Sequence, residues 1–317
     1  MPEKVLVFSR FPKTQLQRFG ERYELLNAAG KPPNEVFSPE ELAGIRAMIT
    51  AGGTKLGAEA LDALPRLGTI VCYGTGYDGV DLAAVARRGI TLGHSPGANA
   101  ASVADIAVTL MLAATRRLLA ADEYVRSGSW AGAKPSPMMR PQAGMLGRRI
   151  GVYGMGEIGR KIAARVASFE TEVGYFSRSK HDVPCQYLPT LEALAEWCSV
   201  LMIAVRAGSD THHAVDANIL NKLGSDGYVV NISRGSVIDQ QALVTALTNQ
   251  TIAGAGLDVF AREPHAPDAL TALPNVVLSP HIGGHTLESH VAMQDCVMAN
   301  LEAYFAGRPL PYAVKLG

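Results

Sequence analysis

The sequence predicts an α/β protein built from two doubly wound parallel-sheet domains. Short apolar runs alternate with helical stretches along nearly all of the 317 residues, the order that parallel strands with crossover helices require. The alternation breaks once, at 128–147, "GSWAGAKPSPMMRPQAGMLG", where Gly and Pro abound and no apolar period survives. The length also exceeds that of most single cores, which favours two domains over one.

Before the break, the β-rich runs are "KVLVF", "RAMIT", "LGTIVCYG" and "GITLGHS", separated by segments such as "GAEALDALP" and "DLAAVARRG". Residues 99–127 carry Val103, Ile106, Leu110, Met111 and Ala114 at helical spacing, which predicts one long, mostly buried helix. The break itself reads as a connection. After it come "RRIGVYG", "EVGYF", "LMIAV", "GYVVNIS", "IAGAGLDVF" and "NVVLSPH", with helices between them, two of these around 216–223 and 238–248. The last stretch, "LESHVAMQDCVMANLEAYFAG", has helical spacing and is expected to return to the first domain.

Lys plus Arg equals Asp plus Glu at 29 each, and no block of like charge occurs. Nothing therefore favours nucleic acid or an anionic membrane, and a small-molecule partner is expected. The N-terminus "MPEKVLVFSR" enters a strand without a signal-peptide pattern, and the longest apolar stretch, near "IAVTLMLAAT", is too short to span a bilayer. A cytoplasmic location is the expectation. Cys72, Cys185, Cys198 and Cys296 are widely spread, with no CxxC and no histidine at ligand spacing, so reduced thiols and no metal are expected.

"IGVYGMGEIGR" sets Gly154, Gly156 and Gly159 in a GxGxxG pattern between a strand and a helix. In that context Gly154 permits the tight turn, Gly156 lets the backbone approach a pyrophosphate, and Gly159 lets helix and sheet pack closely. The helix N-terminus then offers N–H groups to phosphates. At the tip of the next strand, 18 residues beyond Gly159, stands Ser177 in "GYFSRSK", where an NAD-binding domain presents an acid to the ribose 2′-hydroxyl. No acid stands there. A carboxylate would repel a 2′-phosphate, whereas Arg178 can pair with one and Ser177 and Ser179 can donate to it. NADP(H) is expected over NAD(H), with NAD(H) still possible.

Arg234 in "VVNISRGSVID", Glu263 in "GLDVFAREP" and His281 in "LSPHIGGHT" lie at the ends of successive β-runs, where strand carboxyl ends meet the ligand. Together with "YGTGYDGVDL", "SPGANAASVAD", "AGLDVFAREP" and the glycine loop, in that order along nearly the whole chain, they resemble the D-isomer-specific 2-hydroxyacid dehydrogenases, and within them the glyoxylate/hydroxypyruvate reductase branch.

The resemblance implies a flavodoxin-like substrate domain (1–98 plus 287–317), a Rossmann dinucleotide-binding domain (99–286) and a cleft between them. His281 would be the general acid toward a ketone oxygen, Glu263 would hold its other nitrogen, and Arg234 would grip the substrate carboxylate. Backbone N–H groups of Gly74, Thr75 and Gly76 would complete the carboxylate site. Further dinucleotide contacts are implied at Glu157, Ile158, Val205, Arg206, Ile232, Ser233 and Gly283, and Asp258 would accept from the nicotinamide carboxamide. The implied reaction is NADPH-dependent reduction of small 2-oxo acids, glyoxylate and hydroxypyruvate first, by a homodimer formed on the 99–127 helix.

Departures from the family pattern leave other readings open. Arg206 replaces a proline usual in relatives, Gly284 and His285 replace a small pair, and Trp130 resembles a residue that in some relatives reaches a neighbouring subunit. A larger 2-oxo acid, of the phenylpyruvate or keto-sugar type, therefore remains an alternative. A dinucleotide-sensing corepressor is a further one, opposed by the complete triad and the absence of a basic patch. Related formate dehydrogenases carry Gln where Glu263 stands.

Overall fold

The computed structural model describes residues 2–132 and 141–316. The middle of the expected connection, 133–140, lies outside the described residues. The chain divides into two compact units, Met1–Asn99 with Gly284–Gly317, and Ala100–Gly283.

In the first unit, β1 (Lys4–Val7), β2 (Glu24–Asn27), β3 (Ala47–Ala51), β4 (Thr69–Tyr73) and β5 (Thr91–Gly93) form one sheet in the order β2-β1-β3-β4-β5. All its pairings are parallel, and the order is the flavodoxin-like one. Period-two alternation sends Leu6 to the core on one face and Val5 and Val7 to the core on the other. Both faces are covered, so the strands read as unbroken apolar runs; all five residues of β4 are buried. Helix Leu287–Phe305 brings Met293, Val297 and Leu301 against Val5, Val7 and Val71, which seats this helix in the first unit.

The second unit carries β6 (Arg149–Tyr153), β7 (Glu172–Phe176), β8 (Gln186–Tyr187), β9 (Val200–Ile203), β10 (Tyr228–Asn231), β11 (Gly254–Leu257) and β12 (Val276–Leu278). Their order is β12-β11-β10-β9-β6-β7-β8, again wholly parallel. Counted from β6, this is the Rossmann order with a seventh strand added, and the order reverses between β6 and β9. Along β9, Leu201 and Ile203 enter one core and Val200 and Met202 the other. Helices that follow the strands start at side-chain caps from Thr190, Asp216 and Asp239, each accepting from an N–H of the first turn.

One expectation fails in the second unit. The single helix read over 99–127 is two helices, Ala100–Thr115 and Leu118–Arg126, separated by Arg117 in a left-handed conformation (φ 50°). The first is largely buried, but the second has no buried residue and exposes Leu118, Leu119 and Val125. Two strands also escape the sequence reading. β2 is an edge strand with a single buried residue, and β8 is only two residues long.

Candidate active site

The glycine loop joins β6 to helix Glu157–Ala167, beside the point where strand order reverses. Gly154 has φ +100°, and a Cβ there would meet the Ala204 carbonyl oxygen at 2.8 Å. A Cβ on Gly159 would overlap the Gly154 carbonyl oxygen, whereas beside Gly156 nothing lies within 4 Å. Helix start and sheet are thus in backbone contact at the first and third glycines and open at the second. The helix begins at Gly156 without a side-chain cap, so its first-turn N–H groups suit an anion, and these residues fit the pyrophosphate of a dinucleotide. Glu157 is exposed and Ile158 packs against the core. Gly159→Ala should lower the melting temperature, at an overpacking cost of roughly 1–3 kcal/mol, and weaken dinucleotide binding. Calorimetry and ligand titration would check it, and unchanged stability and binding would exclude the close-packing argument.

Ser177, Arg178 and Ser179 follow β7 on its exposed tip. The Ser177 hydroxyl donates to the Ser179 carbonyl oxygen at 2.6 Å, so it closes the turn. Arg178, whose side chain is 93% exposed, lies 3.6 Å from the Asp210 carboxylate. Asp210 comes from the loop after β9, which also holds Val205 and Arg206; Thr211 donates its hydroxyl to the Arg206 carbonyl at 2.9 Å.

Glu263 and His281 meet at 2.6 Å, Oε2 to Nδ1. Burial by itself would raise the Glu263 carboxyl. The His281 hydrogen bond and charge, the Phe260 N–H and the Arg234 charge outweigh it, and the net direction is down. A depressed carboxyl contributes stability above its unfolded value, and that contribution is lost as pH falls through the folded value. Arg234 stands in extended backbone just after β10, its guanidinium donating to the Ser233 carbonyl at 2.8 Å. Ile232 and Ser233 are buried beside it, and Ser233 donates its hydroxyl to the Val205 carbonyl. A Cβ on Gly235 would overlap the Phe260 backbone, so this glycine allows the Arg234 turn to lie against the segment that leads to Glu263.

His281 occupies left-handed backbone (φ 54°), a costly conformation for a residue with a Cβ. Asp258 holds it there. Its carboxylate accepts from the Ser279 hydroxyl (2.7 Å), the Ile282 N–H (2.9 Å) and the Gly283 N–H (2.9 Å). Its carbonyl oxygen accepts the His281 N–H at 2.8 Å. A Cβ on Gly283 would press on Asp258 Oδ2 at 3.0 Å. This clamp, with Asp258 1% exposed, is a task the sequence reading misses, because it joins residues 21 to 25 positions apart with no local pattern.

In the first unit, Gly74 has φ +113° and begins the 74–76 loop after β4. The Thr75 hydroxyl lies 3.1 Å from the Ser95 carbonyl and 2.9 Å from Asn99 Oδ1, and His94 Nδ1 lies 3.0 Å from the Thr75 carbonyl. Tyr73, before the loop, bonds His290 Nδ1 at 2.8 Å, and burial pushes its phenol up to about 12. Neither Asn99 nor His290 stands out in the sequence as part of this loop. Trp130 is 63% exposed.

Residues 108–283 match the sequence profile of the D-isomer specific 2-hydroxyacid dehydrogenase, NAD binding domain. The chain belongs to the D-isomer specific 2-hydroxyacid dehydrogenase family. It is 41% identical over 267 residues to a 2-ketogluconate reductase of Gluconobacter oxydans, covering 84% of this chain and 85% of that protein. It is 37% identical to glyoxylate/hydroxypyruvate reductase A of Arabidopsis thaliana, covering 92% of each. Among solved structures, an NADPH-dependent glyoxylate/hydroxypyruvate reductase of Sinorhizobium meliloti, in complex with NADP and malonate, superposes with a TM-score of 0.91 at 34% identity. That match covers 100% of this chain and 98% of the other. Membership in the family makes the chain a nicotinamide-dinucleotide-dependent oxidoreductase. No described helix is long and apolar enough to cross a membrane.

Proposed function

We propose that this chain reduces small 2-oxo acids, glyoxylate and hydroxypyruvate first, and that it prefers NADPH to NADH. The observation that carries the reaction is the 2.6 Å pairing of His281 with Glu263, near enough to Arg234 for its charge to depress the Glu263 carboxyl. The bound dinucleotide supplies the hydride. His281 delivers a proton from its Nε2 side to the ketone oxygen as that oxygen gains charge. Glu263 accepts from Nδ1, which fixes the tautomer and ring orientation. Arg234 binds the substrate carboxylate through its fork of donors and holds positive charge near the reacting carbonyl. The amides of the 74–76 loop are proposed as carboxylate donors, and Asp258 Oδ2, which accepts the Gly283 N–H, as an acceptor for the carboxamide.

NADPH preference is supported by the tip of β7, where a guanidinium and two hydroxyl residues stand in place of a carboxylate. An exposed ion pair such as Arg178 with Asp210 is worth only about 0–1 kcal/mol, so a 2′-phosphate of nearly two negative charges can take the guanidinium from it. Arg178→Ala should then raise KM for NADPH roughly tenfold or more, the loss of a charge-assisted pair, and leave KM for NADH within about twofold. Equal loss for both cofactors would reduce the tip to an ordinary loop.

The reading as a whole is tested by steady-state rates on a panel of 2-oxo acids with each cofactor. Oxidation of NADPH by neither glyoxylate nor hydroxypyruvate would end it. A sugar-derived keto acid is the second substrate reading, supported by the 41% identity to the Gluconobacter 2-ketogluconate reductase. We also propose a cytoplasmic homodimer. Its four cysteines are free thiols, and the exposed Leu118, Leu119, Val125 and Trp130 supply an apolar surface for a second copy. A monomer mass in solution light scattering would reject the dimer.

A further inference from the structure

The turn that carries Arg178 returns to the strand it left. Tyr175 lies in β7, fully buried, with its ring against Tyr187 at a centroid distance of 5.4 Å. Its phenol oxygen reaches the far end of the turn. It accepts the His181 N–H at 2.8 Å and donates to the His181 carbonyl at 3.0 Å. A second tie comes from the helix after the glycine loop, where the Arg160 guanidinium donates to His181 Nδ1 at 3.1 Å. Between these ends the Ser177 hydroxyl bonds the Ser179 carbonyl.

We infer that Tyr175 is the positioning residue for the 2′-phosphate turn, and that its hydroxyl sets how strongly the enzyme discriminates NADPH from NADH. The inference rests on the proposed role of Arg178. A turn left to fluctuate must lose backbone freedom when a phosphate orders it, and that ordering opposes binding. A turn already closed on a buried phenol has met that cost in folding, and preorganisation returns it as affinity. The benefit falls only on ligand groups that touch the turn. The adenosine 5′-phosphate and the nicotinamide half gain nothing from it, so Tyr175 acts on the difference between cofactors rather than on binding in general.

Tyr175→Phe keeps the buried ring and removes both bonds to His181. Isothermal titration with adenosine 2′,5′-bisphosphate and with 5′-AMP reads the effect without turnover. The expected result is about tenfold weaker binding of the bisphosphate, close to 1.4 kcal/mol, with 5′-AMP affinity changed less than twofold. Unchanged bisphosphate affinity, or equal loss for both ligands, overturns the inference. Arg178→Ala, titrated in parallel, separates the two claims. If it too leaves the bisphosphate unaffected, the 2′-phosphate reading has failed; if it weakens the bisphosphate while Tyr175→Phe does not, only the positioning role has failed. Hydrogen exchange on the wild-type protein without ligand gives a measurement that needs no variant. The His181 amide should exchange slowly for so exposed a turn, and exchange at the unfolded-chain rate would also overturn the inference.

Discussion

Replacing His281 with asparagine is expected to lower kcat for 2-oxo acid reduction by about 10²–10⁴-fold, the range that a positioned general acid contributes. Asparagine is the informative choice because of the backbone. His281 sits at φ 54°, where asparagine is among the residues best tolerated, so the variant should keep the turn that an alanine would strain. The carboxamide can still donate to Glu263, and the Asp258 clamp touches only the backbone of 281–283 and the Ser279 hydroxyl. Dinucleotide affinity and melting temperature should therefore change little while the chemical step collapses. Stopped-flow rates under saturating cofactor check this directly. Reduction within about fivefold of wild type would remove His281 from the proton's path.

Much of the architecture is legible because parallel strands buried on both faces must be apolar throughout. β4 and β9 announce themselves this way, and the sequence context of Gly154, Gly156 and Gly159 marks the β6 turn. What escapes has a physical reason in each case. β2 reads "ELLN" and buries one residue, since an edge strand has less apolar surface to hide. The break at Arg117 carries neither Gly nor Pro; Thr115 turns its hydroxyl back on the Met111 carbonyl at 2.8 Å, and the Arg117 N–H bonds Ala114 three residues back. No local signal separates those residues from a continuing helix.

The candidate site divides along the same line. Arg234, Glu263 and His281 follow strand ends, so position in the chain suffices to nominate them. The groups that fix them do not. Asp258 is nominated as a cofactor acceptor, yet its carboxylate serves the His281 turn through side-chain and backbone bonds that only the folded chain creates. Tyr175 in "GYF" reads as one more core residue of a strand, and its polar end becomes meaningful only when His181 returns to it.

Glu263→Gln should cost about 10²-fold in kcat/KM near neutral pH, and it should also change how stability depends on pH. The carboxylate now faces His281 Nδ1 at 2.6 Å, accepts the Phe260 N–H at 3.2 Å, and feels the Arg234 charge. Gln is close in size and can preserve the Phe260 bond, so the loop should survive. It carries no charge, however, so the imidazole loses the carboxylate that accepts at its Nδ1 and fixes its orientation. The loss should fall on the reduction step, with dinucleotide affinity changed less than about twofold, as for a group that supports a general acid. Steady-state reduction within about fivefold of wild type would mean that Glu263 does not support His281. At the acid end the same substitution should remove the part of the pH dependence of stability that this carboxyl contributes. The wild-type carboxyl is held below its ordinary value and loses its stabilising contribution as pH falls through the folded value, whereas Gln has nothing to protonate. The stability gap between the two proteins should therefore narrow on acidification, and thermal melts from neutral pH downward would reveal whether it does.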